Sequence, residues 1–290
     1  MDDKGWYCHK KSKGGVTAID YLVEIKGYGL VEAVCKVLGE SPQERSYMPT
    51  GTKKARSQSK SNPVSSHADP IVIASAEKMD EHKRPPFALP LRHKDNNRVI
   101  AYLQSRGIDR DVIMDCIARG VLFESKHYHN AVFLGKDEHG KTKFAAMRSV
   151  TTNFMRDADG SDKRYGFLIP PDNPSATAAA LYESPIDCLS HQTLCKQGYI
   201  PDFDGWRLSL GGTSILALEH FLEQNPHITH CIICTDADEA GDKVAEKIAA
   251  ISSISTERSR PAYGTDWNDM LQAVKKAERT QGKARDSPQL

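Results

Sequence analysis

Short apolar runs alternate with helical patterns through the second half of the chain. One apolar run ends at Glu183 and another at Thr235, and residues spaced three or four apart, as on a helix, follow each of them. A third run, 206–210, ends at a Gly-Gly turn. This alternation predicts an α/β domain at 178–278, with a mostly parallel sheet and flanking helices, and then a polar, flexible tail at 279–290.

The first half of the chain predicts three regions of different character. Residues 1–40 carry apolar positions for two short helices. Residues 41–86 are rich in Ser, Pro, Lys and Gln and show no apolar period, so we expect a disordered linker. Residues 87–177 combine two helical patterns with short alternating segments, which predicts a helical hairpin followed by a small sheet.

Carboxylates follow two of the apolar runs. Glu183 precedes Ser184 and Pro185, which suit an N-cap and a first helical position, and Asp187 can return a capping bond. Asp236-Ala-Asp238 follows the second run. Acids at the ends of neighbouring parallel strands converge on one crevice, where they suit Mg²⁺ or Mn²⁺. Alternatively, these acids only cap helices and form turns.

Charge and composition indicate which cellular compartment and which classes of binding partner are compatible with the sequence. The 290 residues carry a net charge of +1, so any nucleic-acid surface must be local. The seven cysteines lack a framework of spacings, which indicates reduced thiols in a cytoplasmic protein. No apolar run is long enough to span a bilayer, and the N-terminus lacks a signal-peptide pattern, so we expect no membrane association.

The acidic motifs resemble those of the TOPRIM domain, the metal-binding module of topoisomerases, bacterial primases and some nucleases. Residues 183–187 (Glu-Ser-Pro-Ile-Asp) resemble its Glu-Gly-x-x-Asp motif, with Ser-Pro at the glycine position. Residues 236–241 (Asp-Ala-Asp-Glu-Ala-Gly) resemble the primase Asp-x-Asp motif, and 265–271 resemble Lys-Asp-Pro-Asp-Glu-x-Leu, with Asn268 at the second family Asp. The resemblance implies a divalent-metal site at Glu183, Asp187, Asp236, Asp238 and Asp266.

The N-terminal block resembles the last part of the zinc module of bacterial primases. Residues 17–22 (Thr-Ala-Ile-Asp-Tyr-Leu) match its helix, and His9 and Ser12 then fall where the family has two cysteines. Ser is a poor zinc ligand and the upstream half-site is missing, so we expect no zinc there. Contact with single-stranded DNA, or a solvated turn, is expected for Lys10, Lys11 and Lys13.

Other candidates come from the region before the acidic motifs and from the Gly-Gly turn. Arg148 and Lys163 resemble basic residues of the primase sub-domain, so we nominate them for phosphate or template contact, with surface solvation as the alternative. Gly211-Gly212 predicts a phosphate cradle at a helix N-terminus, or only a tight turn. His127 and His129 lie on a polar turn without acidic partners, and we assign them no catalytic role.

The order of regions resembles primase-like proteins of plasmids and conjugative elements. The resemblance implies metal-dependent nucleotidyl transfer on single-stranded DNA, with nucleotides and a helicase or transfer protein as partners. Glu183, Asp236 and Asp238 would be catalytic, and Glu183 could also act as a general acid or base. Two alternatives stay open, namely a TOPRIM nuclease that cleaves or nicks DNA and a non-catalytic DNA-binding replication accessory protein.

Overall fold

The computed structural model describes residues 85–251 and 253–285, and ahead of them the short stretches 6–8, 13–15, 21–23, 25–28, 32–33 and 36–37. The predicted linker lies outside the described residues except for its last two positions. The predictions for His9, Lys10, Lys11 and Ser12 also fall outside them. Lys13 lies in a described strand, but its side chain is not part of the description.

The described residues include eleven strands and six helices with defined bounds, and residues 21–23, 32–33 and 36–37 are also helical. The strands are β1 (Trp6–Cys8), β2 (Lys13–Gly15), β3 (Leu122–Glu124), β4 (Ala131–Lys136), β5 (Thr142–Arg148), β6 (Met155–Asp157), β7 (Phe167–Ile169), β8 (Ala178–Tyr182), β9 (Trp206–Ser209), β10 (His230–Ile233) and β11 (Ser255–Arg258). The helices are α1 (Asn97–Ser105), α2 (Arg110–Ala118), α3 (Pro185–Lys196), α4 (Leu216–Gln224), α5 (Glu239–Ala249) and α6 (Trp267–Arg285).

Two main sheets confirm the predicted α/β class. The larger sheet has the order β11-β10-β8-β9-β7, and its first four strands are parallel while β7 runs antiparallel to β9. The smaller sheet is antiparallel, in the order β3-β4-β5-β6, and follows the helical pair α1 and α2. A short antiparallel pair, β1 and β2, belongs to neither.

Strand β8 is buried on both faces, as a central parallel strand should be. Ala179 and Leu181 belong to the apolar cluster that α4 and α5 cover, whereas Ala180 and Tyr182 belong to the cluster on the opposite face. The second cluster also contains residues from α1, α2, α3 and α6. Helices α1 and α2 therefore share one core with the parallel sheet. Strands β3 and β4 contribute to the same core, so the small sheet is held next to the parallel sheet.

The last helix is longer than the sequence predicted. Helix α6 begins at Trp267 and continues to Arg285, so the expected flexible tail does not begin at residue 279. Residues 279–285 are polar but mostly good helix formers, and helix propensity rather than apolar periodicity extends the helix. Residues 286–290 lie outside the described part.

Asn268 links three helices at the junction between the two halves. Its side chain is buried, and its Nδ2 donates to the carbonyl oxygen of Arg106 at 3.0 Å and to Ser190 Oγ at 2.9 Å. Its Oδ1 accepts a hydrogen bond from Gln272 Nε2 at 2.8 Å. Both ends of the amide are thus used, which explains why an amide occupies the position where the TOPRIM resemblance expects a carboxylate.

We expect Asn268→Asp to destabilise the protein. The substitution replaces a double donor with an acceptor that faces a carbonyl oxygen, which costs about 2 kcal/mol or more because buried polar groups lose their partners. The expected fall in Tm is roughly 4–8 °C, measured by thermal unfolding at neutral pH. Asn153→Asp adds the same charge in an exposed loop and is the control. An equal Tm for the two variants would contradict this role of Asn268.

A carboxylate-lined cleft at the edge of the parallel sheet

A cleft of about 420 Å³ opens where β8 and β10 end, and residues from both halves of the chain line it. Four of its acidic lining residues come from the segments after β8, β10 and β11, and a fifth, Asp157, lies in β6. Its basic lining residues come from the end of α1, the small sheet and the loop that follows it. The acidic lining residues at this sheet edge are Glu183, Asp187, Asp236 and Asp266. The basic lining residues are Arg106, Arg148, Arg156 and Lys163.

Glu183 and Asp236 are brought together by strand pairing. The parallel register places Leu181 beside Ile233, so the chains leave β8 and β10 side by side. Glu183 Oε1 then accepts a hydrogen bond from the backbone N–H of Asp236 at 3.2 Å. Burial raises the pKa of Glu183, and the nearby Asp238 carboxylate raises it further, while the Asp236 amide opposes the shift.

The loop that carries Asp236 is fixed through its backbone. The Arg258 guanidinium donates to the carbonyl oxygens of Thr235 and Asp236, both at 2.9 Å. Thr235 Oγ1 donates to the carbonyl oxygen of Gly241 at 2.9 Å, and Trp267 Nε1 donates to that of Cys234 at 2.9 Å. These contacts fix the peptide groups of the loop without using the Asp236 carboxylate, which lines the cleft.

The glycine that ends the Asp-x-Asp segment has a steric cause. A Cβ atom at Gly241 would lie 2.1 Å from the carbonyl oxygen of Asp236, far inside van der Waals contact. Only glycine allows α5 to start this close to the loop. Gly241 is the last residue of the segment that resembles the primase Asp-x-Asp motif, and this close backbone contact explains why a glycine is needed there.

Two of the cleft carboxyl groups have pKa values raised to near neutral pH. Burial, followed by the charges of Asp187, Glu183, Asp266 and Asp238, raises the pKa of Asp236 to about 8. Burial and the charge of Asp266 raise the pKa of Asp187 to about 7, although the Ser184 hydroxyl donates to its Oδ2 at 2.6 Å. The repulsion among these carboxyl groups therefore opposes their ionisation, and a bound cation would favour it.

Asp187 and Asp238 each take part in helix capping. Ser184 Oγ accepts from the Asp187 N–H at 3.3 Å at the start of α3, which confirms the predicted N-cap. Asp238 caps α5 by accepting from the Gly241 N–H at 2.8 Å, and it does not line the cleft. The capping interpretation thus holds for Asp238 and partly for Asp187, but not for Glu183 or Asp236.

Asp266 joins the cleft from the segment before α6. Its Oδ1 accepts a hydrogen bond from the Asp269 N–H at 2.6 Å. Burial raises its pKa, and the Asp269 carboxylate adds to the shift while the Arg106 guanidinium opposes it. Asp266 thus lies where the resemblance placed an acidic residue.

The basic wall contains both predicted residues and two that the sequence analysis missed. Arg148 lies at the end of β5, and its Nη1 contacts Met155 Sδ at 3.0 Å. Lys163 pairs with Asp157 and lies 3.5 Å from the carbonyl oxygen of Gly211. Arg106 and Arg156 carried no sequence signal, because one follows a helix and the other lies in a short, exposed strand without apolar alternation.

The Gly-Gly turn does not form the predicted helix-terminal cradle. Helix α4 begins only at Leu216, and the turn's two amides are already used: Gly211 N–H donates to Ser209 Oγ and Gly212 N–H to the carbonyl oxygen of Glu183. Both glycines have positive φ angles, 69° and 121°, so the tight-turn interpretation applies. They line the cleft and hold the loop after β8 in place.

The donor set of the cleft fits a hard divalent cation. Asp236 Oδ1 is buried and has no hydrogen-bond partner in the part of the chain that the structure describes. An orphaned buried carboxylate oxygen among other carboxylates is a costly arrangement unless a cation binds there. Oxygen ligands of this type suit Mg²⁺ or Mn²⁺, so the residues fit the metal that the TOPRIM resemblance implies.

Among the helices of the described residues, none combines the length and the apolar character that crossing a bilayer requires.

Comparisons with known solved structures gave matches of low identity. The primase fragment of the bacteriophage T7 primase-helicase protein is 16% identical, with a TM-score of 0.42, and the match covers 62% of this chain and 72% of that one. The E. coli primase catalytic core is 15% identical, with a TM-score of 0.41, and the match covers 64% and 74% respectively.

Sequence comparisons found one curated relative and two family models. The "65 kDa protein" of Zymomonas mobilis subsp. mobilis is 26% identical over 298 residues, which cover 97% of this chain but only 46% of that protein. The present chain thus spans less than half the length of this relative. Residues 101–173 match a family described as a protein of unknown function, DUF3991, and residues 180–271 match a Toprim-like family. The region that carries the acidic cleft is therefore a Toprim-like domain, as its motifs predicted.

Proposed function

We propose that this protein is a primase-like enzyme that joins nucleotides on a single-stranded DNA template with the help of a divalent cation. The observation that carries the proposal is the cleft itself, which has a volume of about 420 Å³ and is lined by four carboxyl groups at the sheet edge and by four basic side chains. An acidic wall suits a cation, and a basic wall suits phosphate groups. A cleft with both is suited to a metal-bound nucleoside triphosphate.

Glu183, Asp187, Asp236 and Asp266 would hold the cation. When bound, Mg²⁺ would neutralise charge on the phosphate oxygens of the incoming nucleotide. Asp238 caps α5 and lies outside the lining, so we assign it a supporting role through its charge and its hold on the loop. Asp236 supplies the only cleft carboxylate oxygen that is buried without a partner among the described residues.

Glu183 is suited to proton transfer. Its Oε1 accepts the Asp236 amide, which fixes the carboxylate, and burial raises its pKa toward the range useful for a general base. In nucleotidyl transfer a 3′-hydroxyl oxygen attacks the α-phosphorus and pyrophosphate leaves. We assign the hydroxyl proton to Glu183 Oε2, since Oε1 is already engaged.

The basic wall would bind the phosphates and the template. Arg106 and Arg148 each have a buried Nε without a partner in the described part of the chain, so these guanidinium groups have donors to offer. Lys163 is already paired with Asp157 and would contribute less. In the wider proposal, the protein acts in replication or transfer of a mobile element, together with a helicase or transfer protein.

Metal binding should depend on pH and on Asp236. Carboxyl groups with raised folded pKa values stabilise the fold at low pH, and this contribution is lost as pH rises through about 7 for Asp187 and about 8 for Asp236. In EDTA we therefore expect Tm to fall from about pH 4, where the unfolded carboxyl groups ionise, to about pH 8, where the folded groups have also ionised. The increase in Tm caused by Mg²⁺ should grow between about pH 6 and pH 8.5, as the folded carboxyl groups lose their protons.

Asp236→Asn removes the most strongly repelled carboxylate. In EDTA near pH 8.5 this variant should melt above the unsubstituted protein, and it should lose the Mg²⁺-dependent increase in Tm. Asp172→Asn, on a side chain that is 96% exposed, is the control and should keep both behaviours. A full Mg²⁺ response in Asp236→Asn would overturn the assignment of this site.

Activity should depend on Glu183. We expect the protein to make short oligonucleotides from labelled nucleotides on single-stranded DNA with Mg²⁺ or Mn²⁺, and Glu183→Gln to lower the rate by at least about 100-fold. Gel electrophoresis of the products is the measurement, with end-labelled single-stranded and supercoiled DNA in parallel lanes. Glu183-dependent nicking without synthesis would show a nuclease instead, and DNA binding without either reaction would show an accessory protein.

DNA binding should depend on Arg148. If Arg148 contacts a phosphate, Arg148→Ala should weaken binding of single-stranded DNA and reduce the slope of log K against log salt by about 0.7. Fluorescence anisotropy at several salt concentrations is the measurement. Lys141→Ala removes an exposed charge at the β4–β5 turn, and we expect it to leave the slope unchanged. Equal slopes for both variants would contradict a phosphate contact at Arg148.

A further inference from the structure

A second group of metal-ligand side chains lies away from the acidic cleft. It consists of His93, just before α1, Glu124, the last residue of β3, and His129 in the loop between β3 and β4. Each residue offers one ligand atom, and all three atoms lie within 4.8 Å of one another. The sequence pattern predicts no acidic partner for His129, and this prediction is wrong, because the fold places its ring next to Glu124.

Glu124 is the fixed centre of this group. Its side chain is fully buried, and Oε2 accepts the backbone N–H groups of Arg98 and Val99 at 3.0 and 3.2 Å, in the first turn of α1. Oε1 is therefore the oxygen left for a ligand. It lies 2.5 Å from His129 Nδ1 and 3.7 Å from His93 Nδ1. Hydrogen bonds that orient a ligating carboxylate in this way are typical of metal sites.

No lysine or arginine among the described residues forms an ion pair with Glu124, although its carboxylate is completely buried. A buried carboxylate is normally paired with a cation or bound to a metal. The two imidazoles are the groups that face Oε1, and their rings pack edge to face with centroids 4.8 Å apart. Neutral imidazole is a ligand for first-row transition metals rather than for Mg²⁺.

The loop that presents His129 is strained. Tyr128 and His129, with φ angles of 63° and 54°, are the two non-glycine residues of positive φ in the described ranges. Each such residue costs on the order of 1 kcal/mol. The Tyr128 side chain is 86% exposed, so its packing does not account for the conformation. The positive φ angles of these two residues bring the His129 ring next to Glu124.

We propose that His93, Glu124 and His129 form a binding site for Zn²⁺ or a similar first-row transition ion. Two imidazoles and one carboxylate form a known three-ligand set for zinc, with a water at the fourth position. Zn–N and Zn–O bonds of about 2.0–2.2 Å require ligand atoms roughly 3.3 Å apart. The present separations, from 2.5 Å to no more than 4.8 Å, need only small side-chain adjustments.

The site would join three segments that are separate in sequence. It would tie the stretch before α1 to the end of β3 and to the following loop. Helix α1 ends next to Arg106, which lines the acidic cleft, so the ion would stabilise the helix that carries one part of the basic wall. The inference does not depend on the proposed activity, and it concerns residues distant in sequence from His9 and Ser12, where we expected no zinc.

Zinc titration of the whole chain tests the proposal. EDTA-treated protein, with its cysteines kept reduced, is titrated with Zn²⁺ against a chromogenic chelator. We expect a saturable site with a Kd of roughly 10 µM or tighter, and His93→Ala and His129→Ala each to weaken it at least about 10-fold. His127→Ala, an exposed histidine two residues away, and Asp236→Asn, in the acidic cleft, should leave it unchanged.

A matched measurement excludes a merely structural effect of the substitutions. Without zinc, each histidine variant should unfold within a few degrees of the unsubstituted protein, and zinc should raise Tm only where all three ligands are present. If one variant fails to fold, the comparison is made with the other histidine variant. Absence of saturable binding below about 100 µM zinc, or binding that both histidine substitutions leave intact, would overturn the proposal and leave a hydrogen-bonded His-Glu-His cluster.

Discussion

Mutual repulsion among closely spaced, buried or half-buried carboxylates is the constraint on which the rest of this structure depends. Glu183, Asp187, Asp236 and Asp266 would separate if only their side chains decided the geometry. They stay together because the backbone is held elsewhere: Arg258 binds the carbonyl groups of the loop after β10, and the Asp236 amide binds Glu183. The Arg258 guanidinium donates hydrogen bonds to peptide oxygens and forms an ion pair with Asp242, which lies outside the cleft lining. The carboxyl groups therefore stay close enough to repel one another, and a bound cation can relieve this repulsion.

The basic wall reaches the acidic wall because the two halves share one core. Helices α1 and α2 pack with α3 and α6 on one face of the parallel sheet, and Asn268 bonds to the carbonyl of Arg106 and to Ser190. The small sheet follows directly and brings Arg148 to the cleft. Two regions that different family models match are thus physically one unit around the cleft.

Local signals in the sequence predicted much of the Toprim-like domain. The apolar runs, the Ser184 cap and the positions of Glu183 and Asp236 all follow from short-range patterns, and the structure has the strands and the cap where those patterns put them. Pattern alone could not separate Asp238, a cap, from Asp236, a cleft residue, because both follow the same strand. Arg106 reaches the cleft, and Glu124 reaches His93 and His129, only through tertiary packing. The turn at Gly211 looked like a phosphate cradle because sequence does not show which amides are already bonded.

Gly241 shows how a position can be indispensable without any chemical group. Its missing Cβ lets α5 begin against the carbonyl of Asp236, and no change of a neighbouring side chain can make room there, because the obstacle is backbone. A saturation scan read by loss of function would therefore rank Gly241 beside the acidic residues. Such a scan would classify Gly241 as a functional residue although it has no side chain to contribute. A survey of side-chain chemistry would overlook it altogether. The role of Gly241 is to allow two backbone segments to come close together. This close approach fixes the position of the loop that carries Asp236.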